Sequence, residues 1–358
     1  MRQILISVLC ALCFPLTVIA APSISSTSGT WAHDQSVVIS GSGFASKGTA
    51  APIKFEDFED GENAALISTT SYWSILSDNA EEDQPQFSNA SNRTNSTLSG
   101  LAYLWGANDY FYKTGLGLGT KFFISFWYKY DRNENTADTC QIKVWGIYNS
   151  GGSPALSYFN TYYTATGEWE RIQLTRADGA ECGTGDANYF GISENEEWTH
   201  HQIQIDVGTA GNSDGVIKVW VNGTLEVDQS SYNITATGAG DCTFDAVKFG
   251  RWLDNEGVNP VSNYFDDIYV DTGWSRVEIG NNSAYANCTH REMQLPTAWA
   301  DGEITITVNA GSIANFGTYY LYVVDSDGTV SDAYGPLSSP GGGSENVTGV
   351  TIGGCTVN

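Results

Sequence analysis

The sequence predicts an all-β protein of sandwich type, and three observations point there. Glycine (39), tyrosine (19), phenylalanine (15) and tryptophan (11) are abundant while methionine is scarce (2), the balance of twisted strands joined by tight turns. Runs of strict apolar/polar alternation recur along the chain, such as Glu303 to Val308 and Ile217 to Val221. Turn-forming clusters such as Asp325-Ser326-Asp327-Gly328 separate them. With 358 residues, 41% of them hydrophobic, the chain has apolar material for two ordinary cores, which excludes full-length disorder. Acids outnumber bases 41 to 16, for a formal charge of −25 and a pI near 4.2. Such a surface repels phosphate backbones and anionic lipid, so no nucleic-acid partner is expected.

The first twenty residues read as a secretory signal. Arg2 supplies the positive start, Ile4 to Ala20 is apolar and interrupted by Pro15, and Val18-Ile19-Ala20 suits cleavage. The run is short for a membrane helix, so no membrane insertion is expected after its removal. Cys10 and Cys13 each follow a leucine, unlike a lipid-attachment site. The expected location is outside the cell, secreted or on the cell surface. Five cysteines then remain: Cys140, Cys182, Cys242, Cys288 and Cys355. An oxidising compartment permits disulfides, and the odd count leaves at least one thiol over. Cys140 with Cys182 is the favoured pair and Cys288 with Cys355 a second option. The spacing, without a CxxC, disfavours zinc.

Residues 22–55 carry Ser36-Val37-Val38-Ile39-Ser40-Gly41-Ser42-Gly43-Phe44, a strand followed by a bend. This resembles the opening of a TIG (IPT) immunoglobulin-like domain, but the pattern stops near Phe55. Arg276 to Ile279, Glu303 to Val308 and Tyr319 to Val324 are three further strands, and Thr329-Val330-Ser331 resembles the closing hairpin of the same family. Neither half has enough strands to close a core alone. The expectation is a split Ig-like domain, 22–55 plus 272–338, with residues 56–271 inserted; two unrelated small sandwiches are the alternative.

The insert opens with Phe55 to Gly61 and Trp73, continues through Trp198-Thr199-His200-His201 and Ile217 to Gly223, and closes with Tyr264 to Val270. Together these resemble the concanavalin A-like (laminin-G-like) jelly roll of lectins, glycan-binding modules and some polysaccharide-degrading enzymes. That resemblance also implies a structural Ca²⁺ joining the first and last strands, with Glu59, Asp60 and Asp267 as ligands and Asp57 and Asp266 in reserve, since carboxylates suit a hard cation. The alternative is a pair of acidic turns without metal.

Alternation sorts the strands of the insert into inward and outward phases. Phe122, Ile124, Phe126, Tyr128 and Tyr130 face in, and Trp127 and Lys129 face out. Likewise Gln141, Lys143 and Trp145, then Trp169, Arg171 and Gln173, are outward. So are Trp198, His200 and Gln202, then Lys218 and Trp220, and finally Lys248 with Trp252 just beyond. Six strands thus repeat a tryptophan with a basic, histidine or glutamine neighbour. Indoles stack on sugar rings, and these polar groups bond hydroxyls and carboxylates. The expected glycan site is Trp127, Lys129, Gln141, Lys143, Trp145, Arg171, Gln173, His200, Gln202, Lys218 and Trp220. The bland alternative is the polar exterior that every sandwich strand needs.

The preferred function is a secreted carbohydrate-binding or adhesive protein with a polysaccharide or glycan as partner. A polysaccharide lyase acting on an anionic uronate glycan is the first alternative. Gln141-Ile142-Lys143 and Val247-Lys248-Phe249-Gly250 are similar to strands of jelly-roll alginate lyases. The strand histidine of those enzymes is Lys143 here, and their arginine-rich strand has no counterpart, so the base is unassigned. Gln141, Lys143, His200 and Lys248 would carry such chemistry. The paired carboxylates of a glycosidase and the common nucleotide and hydrolase motifs are missing. The second alternative is a structural subunit. Its basis is the tail, 339–358, where Pro340 to Ser344 reads as a linker and Val347 to Ile352 as a strand for self-association.

Overall fold

The computed structural model describes residues 20–77, 84–104, 109–132, 140–148, 155–164, 167–173, 188–190, 197–209, 211–232, 234, 244–254 and 261–338. The leader, the tail and Cys182, Cys242 and Cys355 lie outside these residues. The first strands are β1 (Ser23–Gly29), β2 (Ser36–Ser42), β3 (Lys54–Glu56), β4 (Ser74–Ser77), β5 (Gln86–Ser88), β6 (Ser99–Leu104) and β7 (Asp109–Lys113). Then come β8 (Lys121–Arg132), β9 (Cys140–Tyr148), β10 (Ala155–Thr164), β11 (Gly167–Gln173), β12 (Asn188–Phe190) and β13 (Thr199–Asp206). They are followed by β14 (Gly215–Val221), β15 (Thr224–Tyr232), β16 (Ala246–Asp254) and β17 (Val261–Thr272). The last are β18 (Arg276–Gly280), β19 (Arg291–Met293), β20 (Leu295–Ala300), β21 (Glu303–Thr307) and β22 (Tyr320–Val324). The protein is all-β, as the alternation predicts.

The two ends of the chain build one small sandwich. Its four-stranded sheet runs β1-β2-β21-β20, with Val37 opposite Ile306 and Ile39 opposite Ile304. These residues alternate inward with period two, so pairing them across 265 to 269 positions buries both apolar phases at once. The facing sheet is β19-β18-β22, and Val277, Ile279, Leu321 and Val323 complete the core with Trp31 and Phe44.

The intervening chain forms a larger sandwich from a seven-stranded sheet, β12-β11-β10-β9-β16-β7-β4, and an eight-stranded sheet made of the path β15-β14-β13-β8-β17-β6-β5 plus β3, which pairs with β17 off that path. Its core interleaves Phe111, Val247 and Phe249 of the first sheet with Phe122, Ile124, Phe126, Ile203, Val219 and Phe265 of the second. Every strand pair among the described residues is antiparallel. No helix among the described residues is long and apolar enough to cross a membrane.

One turn also fixes how the sandwiches meet. Asn222 (φ 47°) and Gly223 (φ 79°) form the reversal between β14 and β15, the double left-handed conformation for which Asn-Gly is favoured. A Cβ on Gly223 would stand 1.7 Å from the carbonyl oxygen of Cys288 in the small sandwich. Gly223→Ala is therefore expected to cost more than about 1 kcal/mol, through both backbone strain and the clash. A urea midpoint unchanged from the parent would contradict this close approach.

Candidate functional site

The outward phases of the insert divide between two opposite surfaces. Trp127, Lys129, His200, Gln202, Lys218 and Trp220 lie on β8, β13 and β14 of the eight-stranded sheet, whereas Gln141, Lys143, Arg171, Gln173 and Lys248 belong to β9, β11 and β16 of the seven-stranded one. The expectation of a single groove built from all of them is corrected here. Two stacked sheets have two outer faces, and alternation alone does not say which strand joins which sheet.

The eight-stranded sheet's face is covered by the small sandwich. Trp127 (7% exposed), His200 (1%) and Gln202 (1%) are buried. The indole of Trp127 stacks on His200 at 4.7 Å, carries the Arg93 guanidinium at 4.0 Å, and meets the edge of His290 at 5.4 Å. Gln202 reaches Met293 Sδ, and Arg276 lies over Phe123 at 4.1 Å. Trp274 donates its indole N–H to the Ile205 carbonyl at 3.1 Å. Trp220 is half-buried with Arg291 6.0 Å from its ring centre. Lys218 pairs with Asp228 at 3.5 Å, and Lys129 is half-buried. What alternation marks as solvent-facing is an interface between sandwiches, so Trp127, His200 and Gln202 are removed from the glycan set.

The same interface holds a charged cluster that the sequence does not announce. Arg93, on the segment before β6, pairs with both Asp267 and Glu292, and donates to Ser312 Oγ at 2.9 Å. Burial and the neighbouring Asp267 charge push Asp266 well above the ordinary carboxylate range. Burial likewise carries Asp267 up to about 6 against the pull of Arg93. Burial acts on Glu292 too, but Arg93 and His290 outweigh it and hold that carboxylate below its usual value. His200 is driven far below a normal histidine by burial and by the Arg291 and Arg93 charges. Its ring Nε2 meets Ser125 Oγ at 2.7 Å. A buried His200 that resists protonation and has no route to solvent cannot serve as a lyase base, which corrects that assignment.

Two of the residues expected to hold calcium, Glu59 and Asp267, are engaged by other groups of the protein. Glu59 accepts hydrogen bonds from the Thr97 and Leu98 amides at 2.7 and 3.0 Å and from the Thr97 hydroxyl. Asp60 is exposed, and Asp267 is taken by Arg93 and, at 3.3 Å, by Asn309 Nδ2. Asp57, Glu59 and Asp267 line one small cavity of about 20 Å³. Among the described residues no group of three His, Cys, Asp or Glu side chains is placed to hold a metal. The positive charge at this junction is the guanidinium of Arg93.

The outer face of the seven-stranded sheet is different. Core residues Phe111, Trp145, Ile147, Val247 and Phe249 set its inner phase, so the opposite phase, with Tyr110, Tyr112, Gly146 and Lys248, faces away from the core. Trp145, expected outside, is fully buried against Phe126 at 6.1 Å. The cause is a β-bulge: Phe159 pairs with Trp145 but Asn160 with Lys143, so Val144 is the extra residue and the alternation flips across it. Lys143 keeps its outward register position.

Backbone pairing carries that face across the sheet. Tyr112 is opposite Lys248, Lys248 opposite Gly146, Gly146 opposite Tyr158 and Tyr158 opposite Gln173. Two residues along β10 and β11, and past the register shifts of β9 and β16, Trp252, Lys143, Asn160 and Arg171 form the next row. Asp254, Gln141, Tyr162 and Trp169 form a third. The β10–β11 register is unbroken from Tyr158/Gln173 to Thr164/Gly167, so all three rows share one face. Gln141, Lys143, Arg171, Gln173 and Lys248 are thus brought together at register positions of a single surface. At its described end, Lys248 Nζ lies 3.2 Å from the Tyr110 hydroxyl and 4.5 Å from that ring's centre, and Tyr110 and Tyr112 are 5.7 Å apart.

No protein-family profile matches the chain, and no curated protein matches it. Solved structures do. The alginate lyase Aly36B is 13% identical with a TM-score of 0.45, the match covering 63% of this chain and 97% of that one. The marine PL-14 alginate lyase from Aplysia kurodai is 12% identical at a TM-score of 0.44, over 62% of this chain and all of its own. The endo-β-1,4-glucuronan lyase from the fungus Trichoderma reesei is 13% identical at 0.42, over 62% and 96%. At TM-scores below 0.5, these likenesses assign neither a residue nor an activity to this chain.

Proposed function

We propose that the outer face of the seven-stranded sheet binds an acidic polysaccharide, the small sandwich serving as its mount in a secreted protein. One observation supports this most: the register gathers Lys143, Arg171 and Lys248 with Gln141 and Gln173 on one surface, in a chain with only 16 bases and a net charge of −25. Three cations on a surface of opposite overall sign concentrate attraction where uronate carboxylates would lie. Amides and tyrosine hydroxyls supply partners for sugar hydroxyls, and aromatic rings give stacking platforms. Affinity electrophoresis against uronate polymers, with neutral glucans as controls, tests the reading. Lys143→Ala and Lys248→Ala are each expected to lower affinity about tenfold, as loss of a charge-assisted hydrogen bond does. Parent-like affinity in both variants, or equal affinity for neutral polymers, counts against it.

A second reading, elimination by a polysaccharide lyase, is favoured by the Lys248–Tyr110 contact on the same face. An ammonium beside a phenol is a proton-transfer pair, and Gln141 with Lys143 would neutralise the carboxylate next to the abstracted proton. Absorbance from unsaturated product separates the readings. A lyase releases it and loses it in Tyr110→Phe, while a binder shifts in the gel and releases nothing.

A further inference from the structure

The small sandwich has an open edge, interrupted by a register shift between Ile24 and Ser26 of β1. Among the described residues β1 pairs only with β2, and Ser23, Ser25, Ser26, Ser28 and Gly29 are exposed. Edges of this kind are ordinarily blunted by charge or by proline within the strand, yet Ser-Ile-Ser-Ser-Thr-Ser-Gly carries neither. Beside the edge lies a cavity of about 530 Å³, walled by Thr27 and Trp31 on one side and by Ala333 to Ser338 on the other. That second wall is fixed: Tyr334 exchanges backbone hydrogen bonds with Leu321 at 2.9 and 3.1 Å, and the Leu337 amide bonds the Tyr319 carbonyl at 2.8 Å. Trp31 and Leu337 are almost wholly buried and give the groove an apolar base.

The chain continues for 20 residues beyond Ser338, which is itself a wall residue of this groove. We propose that residues Val347–Ile352 of the same molecule occupy the groove as an added strand on the edge of β1. Thr348, Val350 and Ile352 share one phase, so one face of such a strand offers two β-branched apolar side chains to the Trp31 and Leu337 side. The connecting residues 339–346 include Pro340 and three consecutive glycines and reach at most about 28 Å when extended. A return to the adjacent edge needs less than that. A tether this short places the strand at an effective concentration in the millimolar range, which favours its own groove over that of a second copy.

Amide hydrogen exchange on the mature chain tests the proposal. Alternate amides of Ser23–Gly29 are expected to exchange at least about tenfold more slowly than in a chain ending at Ser338, because paired amides exchange only on opening. A synthetic peptide spanning residues 343–358, added to the truncated chain, should restore the protection. In the full chain, Val350→Asp with Ile352→Asp should abolish it, while Thr351→Asp, in the opposite phase, should leave it. Unchanged amides in β21 serve as the check that each variant is folded. Equal exchange of β1 in the full and truncated chains overturns the proposal. So does protection that rises with protein concentration over about a hundredfold range, since that is the mark of a second copy supplying the strand.

Discussion

Arg93→Met is expected to destabilise the protein by roughly 3–5 kcal/mol, because it strips the counter-charge from buried carboxylates. Arg93 is 3% exposed and lies between Asp267 and Glu292, which are 5% and 0% exposed, with Trp127 beneath its guanidinium plane. Methionine fills much of the space but satisfies neither acid. Arg93→Lys should recover only part of the loss, since one ammonium cannot match a planar fork that serves Asp267, Glu292 and Ser312 together. Urea unfolding at neutral pH measures both. The Arg93→Met deficit should shrink as pH falls towards about 6, because Asp267 without Arg93 takes up its proton before the parent's does, and for that group it should level off below about 6. A deficit below about 1 kcal/mol at neutral pH, the range of an exposed ion pair, would mean that the cluster does not join the sandwiches.

The second large effect is acid sensitivity. His201 is fully buried, stacked on Phe126 at 5.2 Å, and burial holds its pKa down at about 3 against a usual 6.5. The unfolded chain therefore binds a proton that the folded chain refuses, and stability is lost as pH falls from 6.5 towards 3, at about 1.4 kcal/mol per pH unit. His200 acts in the same direction. Asp266 and Asp267 oppose it: their raised values mean that the folded protein takes up their protons first, so falling pH favours the fold until the unfolded acids protonate near 3.8. Below that point the compensation ends. Glu278 and Glu292, both held below their usual 4.5, then lose their ion pairs as well. Glu56 and Asp271, also raised by burial, add to that opposition, so the steep loss of stability is expected below about pH 4. His201→Phe should gain on the parent by about 1.4 kcal/mol for each unit below 6.5. A constant difference from pH 7 to 4 would falsify the buried neutral histidine as the cause.

Several errors of the sequence reading have one physical source. Alternation reports which side of its own strand a residue occupies, and it is correct for Phe122, Ile124, Phe126, Ile203 and Val219, all buried in the core. It does not report what covers the other side. Trp127, His200 and Gln202 point away from the core as expected and are buried nonetheless, because a second sandwich built from distant chain lies over them. Trp145 is a different case, inverted by one extra residue at Val144 that leaves no mark in an apolar run. Arg93 was missed because it stands in a stretch of asparagine, serine and threonine resembling any solvated loop. Its partners are 174 and 199 residues away.

By itself the sequence determined the all-β character and the inward phase of most core strands, while the pairing of Val37 and Ile39 with Ile306 and Ile304 came from the structure. The first two follow from local periodicity and from the need to bury an apolar stripe. Only the tertiary structure decided which outward residues meet solvent, which meet another sandwich, and which cations stand together. Sheet membership and register are set by pairing between strands far apart in the chain, and that information resides in no single segment.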